Sequence, residues 1–440
     1  MNSRTIICTS LLIVLLCCCQ SGFAQTPAAA DLNAIRAQID ALKADYEKRI
    51  QALETQLQTL QSQTPAPAVE PAAAAAAPQE PQQPQPTAQV PTGAQGAGGP
   101  SGALPVYGGA SGSKVFNPDI AVIGDFLGAA GSNKVNPGPA FEMHESEASF
   151  QAVVDPYARA DFFISFGEEG VNLEEGYLTF PAIPGGLLVK VGKMRAAFGK
   201  VNTLHNHVLP WTDRPLMTTN LVGGEDGIND AGFSVARLIP NPWLFLEATG
   251  QVFRGDSNDL FRSSKRGDLS YVGHVRGYQD ISESTNIDLG VSYSRGHNNA
   301  GIVNDFDFGR FRTTLYGADA TIRWRPLKRS IYRSFIGRSE FVWSRRGQPN
   351  GAQSALGYYF SGDYQFGRRW FAGVRYDRSK RAGDASLVDK GQSALLTYWP
   401  SEFSQIRGQY RRTQYAVGPT ANEFLMQFQF SIGAHGAHPF

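Results

Sequence analysis

A two-residue alternation of apolar and polar side chains recurs from about residue 118 to the end of the chain. In the last such segment, 421–434, apolar side chains hold the even positions from Phe424 to Ile432, with Gln427 and Gln429 between them. Successive side chains of a strand point to opposite faces, so each segment predicts a strand with one apolar and one polar face.

Two kinds of all-β protein use such strands. A secreted soluble sandwich turns the apolar face into a core, whereas a transmembrane barrel turns it outward to lipid. Segments such as 316–324 and 370–376 place Ala on the apolar face beside aromatic residues. A packed core needs bulky side chains, but lipid fills the gaps around small ones. We therefore favour the barrel and keep the soluble protein as the alternative.

The predicted fold is an all-β, transmembrane antiparallel β-barrel over residues 115–440. About sixteen strands are expected, an even number as in bacterial single-chain barrels, and one hairpin more or fewer would give eighteen or fourteen. The expected strands are 119–128, 145–155, 157–167, 172–180, 186–195, 231–238, 242–253, 269–279, 285–295, 311–325, 332–345, 354–365, 369–378, 391–399, 403–413 and 421–434.

Residues 1–24 have the features of a secretory signal peptide: Arg4, an apolar stretch over 6–16 and small residues at the end. A lipoprotein signal ending before Cys17 is the alternative, although Leu16 stands where a small residue is preferred. All four cysteines lie within this segment. The mature chain is therefore expected to have neither disulfides nor a Cys-ligated metal.

Two further segments precede the predicted barrel. Residues 31–63 carry apolar residues at steps of three and four, which predicts a short periplasmic coiled coil. A helix lying on another surface is the alternative. Residues 64–114 are rich in Pro, Ala, Gln and Gly and predict a disordered linker.

The longest connection between predicted strands, 196–230, contains several apolar residues and is expected to fold into the barrel as a constriction loop. A cap over the outer mouth is the alternative. His205, His207, Trp211 and Asp213 are its candidate functional residues. His205 and His207 have metal-ligand spacing, but no Cys or paired carboxylate lies nearby in sequence, so we predict no metal site.

Charge is unevenly distributed although the formal net charge is only +1, which does not favour a nucleic-acid partner. From residue 263 onward, 24 Lys and Arg face 14 Asp and Glu. A basic wall would favour anions in a pore; arginines set opposite carboxylates, forming a transverse field, are the alternative. The predicted pore-lining residues are Arg276, Arg323, Arg325, Arg338, Arg375, Arg407 and Arg411.

Several stretches, including 154–166, 173–216 and the terminal HGAHPF, resemble bacterial outer-membrane porins related to the phosphate-selective porins O and P. The resemblance implies a sixteen-stranded homotrimeric barrel with short periplasmic turns. No residue-for-residue match to that family's phosphate-binding side chains is present.

These observations predict an outer-membrane porin, a passive channel for small hydrophilic solutes with a preference for anions. It would contact lipid, and Phe440 would signal to the barrel-assembly machinery. Because no motif of a nucleophile, catalytic metal or phosphate loop occurs, no enzyme activity or cofactor is expected. The alternatives are an envelope tether that contacts the cell wall through its coiled coil, and a TonB-linked metal receptor.

Overall fold

The computed structural model describes residues 48, 119–168, 170–258, 260–303 and 306–433. The predicted signal peptide, linker and terminal Phe440 lie outside the described residues, as does the predicted coiled coil apart from Lys48. Those predictions stay predictions.

Strands dominate the described residues. The first nine are β1 (Asp119–Ser132), β2 (Phe141–Asp155), β3 (Ala158–Gly167), β4 (Gly170–Ile183), β5 (Leu187–Arg195), β6 (Asn229–Leu238), β7 (Phe245–Phe253), β8 (Ser270–Ser282) and β9 (Thr285–His297). The others are β10 (Ile302–Val303), β11 (Phe306–Asp307), β12 (Arg312–Trp324), β13 (Ser334–Arg346), β14 (Gln353–Gly367), β15 (Trp370–Lys380), β16 (Val388–Ser401), β17 (Ser404–Gln414) and β18 (Ala421–Gly433).

Sixteen of these strands form one closed barrel in which each strand pairs antiparallel with its neighbours. Closure occurs where β1 pairs with β18, with Phe126 opposite Phe428. A closed barrel satisfies its backbone hydrogen bonds between strands and leaves no free edge. The predicted fold class is confirmed, and the observed strand limits differ from the predicted ones by a few residues at most ends.

Side-chain alternation follows the barrel wall as the sequence predicts. On β18, Ile432 is 63% exposed on the outside, whereas Gln427 is 1% exposed on the inside. On β15, Val374 lies outside and Arg375 and Asp377 are buried inside. The outer surface is therefore apolar and the inner surface polar and charged, the reverse of a soluble sandwich.

The barrel has a short-turn end and a long-loop end. Connections such as 156–157 and 283–284 close the first, and the longer segments 196–228 and 254–269 lie at the second. Aromatic residues lie on the outside near each end. Trp370 and Tyr398 stack with ring centroids 4.5 Å apart near the short turns, and the rings of Tyr293 and Tyr316 are 5.4 Å apart toward the long loops.

Among the described residues from 119 to 433, helical structure is confined to short turns in the connections. They are Val201–Thr203, Asn206–Val208, Thr218–Val222, Asn299–Gly301 and Leu327–Arg329. The small hairpin of β10 and β11, in the connection from β9 to β12, was not predicted because two-residue strands carry no periodic signal. Among the described residues, no helix is both long and apolar enough to span a membrane.

Placing a charge on the outer surface tests its orientation. Val374, at mid-height between Gly362 and Ala394, is expected to face hydrocarbon. Val374→Arg should lower the free energy of unfolding in lipid vesicles by roughly 2–4 kcal/mol, because a charge at the bilayer midplane is costly. Val417→Arg, in the exposed β17–β18 loop, is the matched control and should change it by about 1 kcal/mol or less. Equal effects at the two positions would contradict the orientation.

Candidate functional site

The connection from β5 to β6, residues 196–228, folds into the barrel and is called the inner loop below. Its side chains and backbone contact inward-facing residues of strands on the far wall, including β9, β13, β15 and β17. The placement inside the barrel agrees with the predicted constriction loop and not with a cap over the outer mouth.

The start of the inner loop is anchored to β9 and β13. The backbone N–H of Gly199 donates to Ser292, and the N–H of Val201 donates to Glu340. Gly199 has φ +60°, and a Cβ there would lie 1.7 Å from a carboxylate oxygen of Glu340. Glycine is needed at this position because both the backbone conformation and the close approach exclude a side chain. Lys200 then reaches Asp288, 2.5 Å away.

The middle of the inner loop is anchored to strands further round the same part of the wall, β14, β15 and β17. Trp211 packs edge-on against Tyr359 with ring centroids 5.1 Å apart, and the guanidinium of Arg375 lies 4.8 Å from the Trp211 ring. Asp213 accepts hydrogen bonds from Arg375 and Arg411, at 2.8 and 3.0 Å. Burial would raise the pKa of Asp213, but these two arginines lower it to about 2. The loop is thereby held at several points along the run of neighbouring strands from β9 to β17.

An apolar cluster lies between the inner loop and the wall. The loop contributes the buried residues Ala196, Phe198, Val201, Leu209, Trp211, Met217, Leu221, Val222 and Ile228. Wall residues in the same cluster include Leu315, Val342, Tyr359 and Leu395. Burial of these apolar side chains contributes free energy that holds the loop against the wall. Single surface ion pairs contribute much less.

His205 and His207 lie against an acidic part of the wall. Nδ1 of His205 contacts Glu147 on β2, and its Nε2 lies 2.7 Å from Glu175 on β4. Burial would lower the pKa of His205, but the negative charge of Glu147 and hydrogen bonds with both glutamates raise it to about 10. Nδ1 of His207 lies 3.7 Å from the same Glu147 oxygen.

Two β-bulges increase the number of polar groups at this wall. Asp125 pairs with Glu145 and Phe126 with Met143, so His144 is the extra residue on β2. In the same way, Glu174 is the extra residue on β4, where it pairs with no residue of β3. Both side chains contact charged groups inside the barrel: His144 contacts Glu225 and Glu174 contacts Arg195. Bulges re-aim side chains in this way beside functional sites.

The seven predicted pore-lining arginines have three different locations. Arg375, Arg407 and Arg411 hold the inner loop, Arg407 through the carbonyl of Leu209 at 3.0 Å. Arg276, Arg323 and Arg338 line the open space beside the loop. Arg325 lies one residue beyond the end of β12 and is exposed, so it is outside the lumen wall. Five of the seven, Arg276, Arg323, Arg338, Arg375 and Arg411, also have acidic partners.

A cavity of about 350 Å³ remains beside the inner loop. Strands β4 to β8 and β12 to β14 form its wall, and the loop contributes Lys200, Val208 and Trp211. Its charged lining residues are Glu175, Lys190, Arg195, Lys200, Glu247, Arg276, Arg323 and Arg338. Cations therefore outnumber carboxylates along its surface.

Several residues of the site were not identified from the sequence. Glu145 and Glu147 are two apart in a strand, which is the signal that would have placed them on one face. Glu174 and Glu175 are adjacent, so alternation alone would have separated them; the bulge brings both inside. Asp288 and Glu340 carry no local signal because their loop partners are far away in sequence.

No family model matches the chain. An uncharacterised protein of Aquifex aeolicus is 29% identical over 388 aligned residues, which cover 74% of this chain and 81% of that protein. The resemblance to porins O and P and the homotrimer that it implies stay predictions.

Among solved structures, an anion-selective porin from Comamonas acidovorans has a TM-score of 0.49 at 10% identity, covering 72% of this chain and 98% of that one. The outer-membrane channel DcaP of Acinetobacter baumannii has a TM-score of 0.47 at 12% identity, covering 72% and 96%. Similarity at this level is too remote to assign a function.

Removing the largest anchor should loosen the inner loop. Trp211→Ala deletes a fully buried ring and should destabilise the docked loop by about 3–5 kcal/mol, the usual effect of a large cavity. Limited proteolysis of the folded barrel should then cut within 196–228 much faster than in the wild type. Trp243→Ala, at a 76% exposed position on the outside, should not change the rate. Unchanged cleavage in Trp211→Ala would contradict the proposed anchoring.

Acid should weaken the anchor at Asp213 only at low pH. Its carboxyl pKa falls from 3.8 to about 2 in the folded chain, so its stabilising contribution is complete above about pH 4 and is lost as the pH falls through 2. Asp213→Asn should therefore increase loop proteolysis at pH 7 but not add to the effect of acid near pH 2, as measured with an acid-active protease. An effect of Asp213→Asn that is as large near pH 2 as at pH 7 would show that the anchor is not lost when the Asp213 carboxylate titrates.

Proposed function

We propose that the chain is a passive outer-membrane channel for small hydrophilic solutes. The observation that carries the proposal is a closed sixteen-stranded barrel, apolar outside and polar inside, whose lumen is narrowed and not filled by the inner loop. A barrel with this polarity suits a bilayer because its outward face matches hydrocarbon and its backbone polar groups are paired.

Passage through the barrel would be limited by the cavity beside the inner loop. The loop is held to the wall at Asp288 on β9, at Glu340 on β13 and at Arg375 on β15. A fixed obstruction of this kind excludes solutes by size, and the polar lining replaces part of the hydration shell of those that enter.

The lining favours anions. Lys200, Arg276 and Arg323 all approach the buried carboxylate of Asp288, at 2.5, 2.6 and 3.8 Å. Six basic and two acidic side chains line the cavity as a whole, so its wall retains positive charge. Such charge lowers the barrier for an entering anion.

Carboxylates are concentrated around His205 and Asn206 of the inner loop. Glu145 and Glu147 on β2 and Glu174 and Glu175 on β4 are buried there, and Glu175 also lines the cavity. A basic and an acidic wall at opposite sides create a field across the lumen, which orders dipolar solutes and water. We therefore propose a moderate anion preference and not exclusive anion selectivity.

Reversal potentials across planar bilayers test the channel and its selectivity together. In a potassium chloride gradient, the wild-type chain should give discrete conductance steps and a reversal potential of the sign that anion permeation requires. The double variant Arg323→Gln, Arg338→Gln should shift that potential toward the cation value, because two cavity charges are removed. Arg412→Gln, an exposed arginine on the outer face of β17, is the matched control.

The possible outcomes separate the two parts of the proposal. Absence of conductance steps from correctly folded wild-type barrels would overturn the channel. Conductance with an unchanged reversal potential in the double variant would overturn the role of the basic wall alone.

A further inference from the structure

His205, His207 and Glu147 converge at one point between the inner loop and β2. One nitrogen of each imidazole and one carboxylate oxygen lie within 4.8 Å of one another, and all three side chains are buried. The histidines belong to a short helical turn, Asn206–Val208, and its preceding residue, so their rings meet with centroids 5.7 Å apart. The third group comes from a strand 58 residues earlier.

We propose that these three side chains bind a divalent transition-metal ion of the Zn²⁺ type, which fastens the inner loop to β2. Two imidazole nitrogens and a carboxylate oxygen are a ligand set that such ions use, whereas Ca²⁺ and Mg²⁺ prefer oxygen alone. Ligand bonds of about 2.0–2.1 Å in a tetrahedron separate the ligand atoms by about 3.3 Å. Binding would therefore move Nδ1 of His205 slightly away from Glu147.

The surroundings orient His205 for such a role. With Nδ1 directed toward Glu147 and His207, its opposite nitrogen Nε2 lies 2.7 Å from Glu175. A carboxylate that accepts the second N–H of a ligand histidine fixes the ring and its tautomer, and this arrangement is usual around protein-bound metals. Glu175 also accepts the backbone N–H of Arg195 at 2.8 Å, which holds the carboxylate itself in place.

A second and independent observation is an unsatisfied carboxylate oxygen. Oε1 of Glu145 is buried and accepts no hydrogen bond among the described residues, although Oε2 accepts one from Asn206. Glu145 also forms a group with Glu147 and Glu174 in which the carboxylate oxygens approach within 4.8 Å. Buried carboxylates approach this closely only when a proton or a cation lies between them.

The local charge also favours a cation. Glu145, Glu147, Glu174 and Glu175 are all buried here, and the basic groups that contact them include His205 and, through Glu174 at 3.1 Å, Arg195. The guanidinium of Arg214 is nearby but donates to Asn206 and to the carbonyls of Val201 and Leu204. A divalent ion would supply the missing positive charge without adding a side chain.

Another group of potential ligands provides a control. Asp268, His297 and Asp307 also lie within 4.8 Å of one another in the long loops, but Asp268 is already paired with Arg310 and Nδ1 of His297 lies 2.6 Å from the carbonyl of Arg262. We therefore expect the ion at the inner loop and not at this second group.

Calorimetric titration of the purified full chain in detergent, after treatment with a chelator, tests the site with Zn²⁺ and with Ca²⁺. The wild type should bind one Zn²⁺ with high affinity, and His207→Gln and Glu147→Gln should each weaken that binding by more than about 100-fold. Glu175→Gln should weaken it by roughly 10–100-fold, as expected for a group behind the ligands. His297→Gln is the matched control and should bind Zn²⁺ as the wild type does.

The outcomes are distinguishable even where a variant folds poorly. Folding is monitored by the electrophoretic mobility shift of heated and unheated barrels, and X-ray absorption of the Zn²⁺-loaded wild type needs no variant. Imidazole ligands at about 2.0–2.1 Å would support the site. Absence of Zn²⁺ binding, loss of binding in His297→Gln alone, or preference for Ca²⁺ would overturn it. A barrel without this site could still conduct, so conductance is a separate result.

Discussion

Pairing of β1 with β18 is the contact on which the rest of the structure depends. Before that pairing, two strands would each expose a row of backbone N–H and C=O groups, which hydrocarbon cannot hydrogen-bond. Closure removes both edges and divides the chain into an outside and an inside. The apolar positions of each strand, such as Val374 and Ile432, then face outward. Charged residues such as Asp288 and Arg375 are enclosed together inside the barrel.

The closed barrel also encloses apolar wall residues that need cover from water, and the inner loop provides that cover. Its apolar residues cover Leu315, Val342 and Tyr359 inside the barrel, and its polar groups reach carboxylates and arginines on both walls. Basic residues predominate around the cavity, and the glutamates of β2 and β4 gather around His205 and Asn206 of the loop. The separation of charge thus follows from where the loop crosses the lumen.

Alternation made the barrel predictable, because a period of two is a local property of each strand. The length and apolar content of 196–230 likewise indicated a loop with its own packed structure. The side chains that the loop contacts on the wall could not be predicted from the sequence in the same way. Glu147 and His205 meet only through the closed fold, and the bulge at Glu174 breaks the alternation that sequence analysis relies on. The seven arginines were predicted to line the pore because they occupy polar positions of their predicted strands. Three of them nevertheless anchor the loop, and Arg325 lies beyond a strand end.

Single-cysteine scanning of β12 in lipid vesicles measures the orientation of the barrel wall most directly. Residues 316–322 would be replaced one at a time in a chain without the four native cysteines, labelled with a fluorophore and exposed to lipids brominated on their acyl chains. The account predicts quenching at even positions, such as Tyr316 and Ile322, and none at Asp319 and Thr321, which face the lumen. Quenching with the opposite phase, or with no two-residue period, would contradict it.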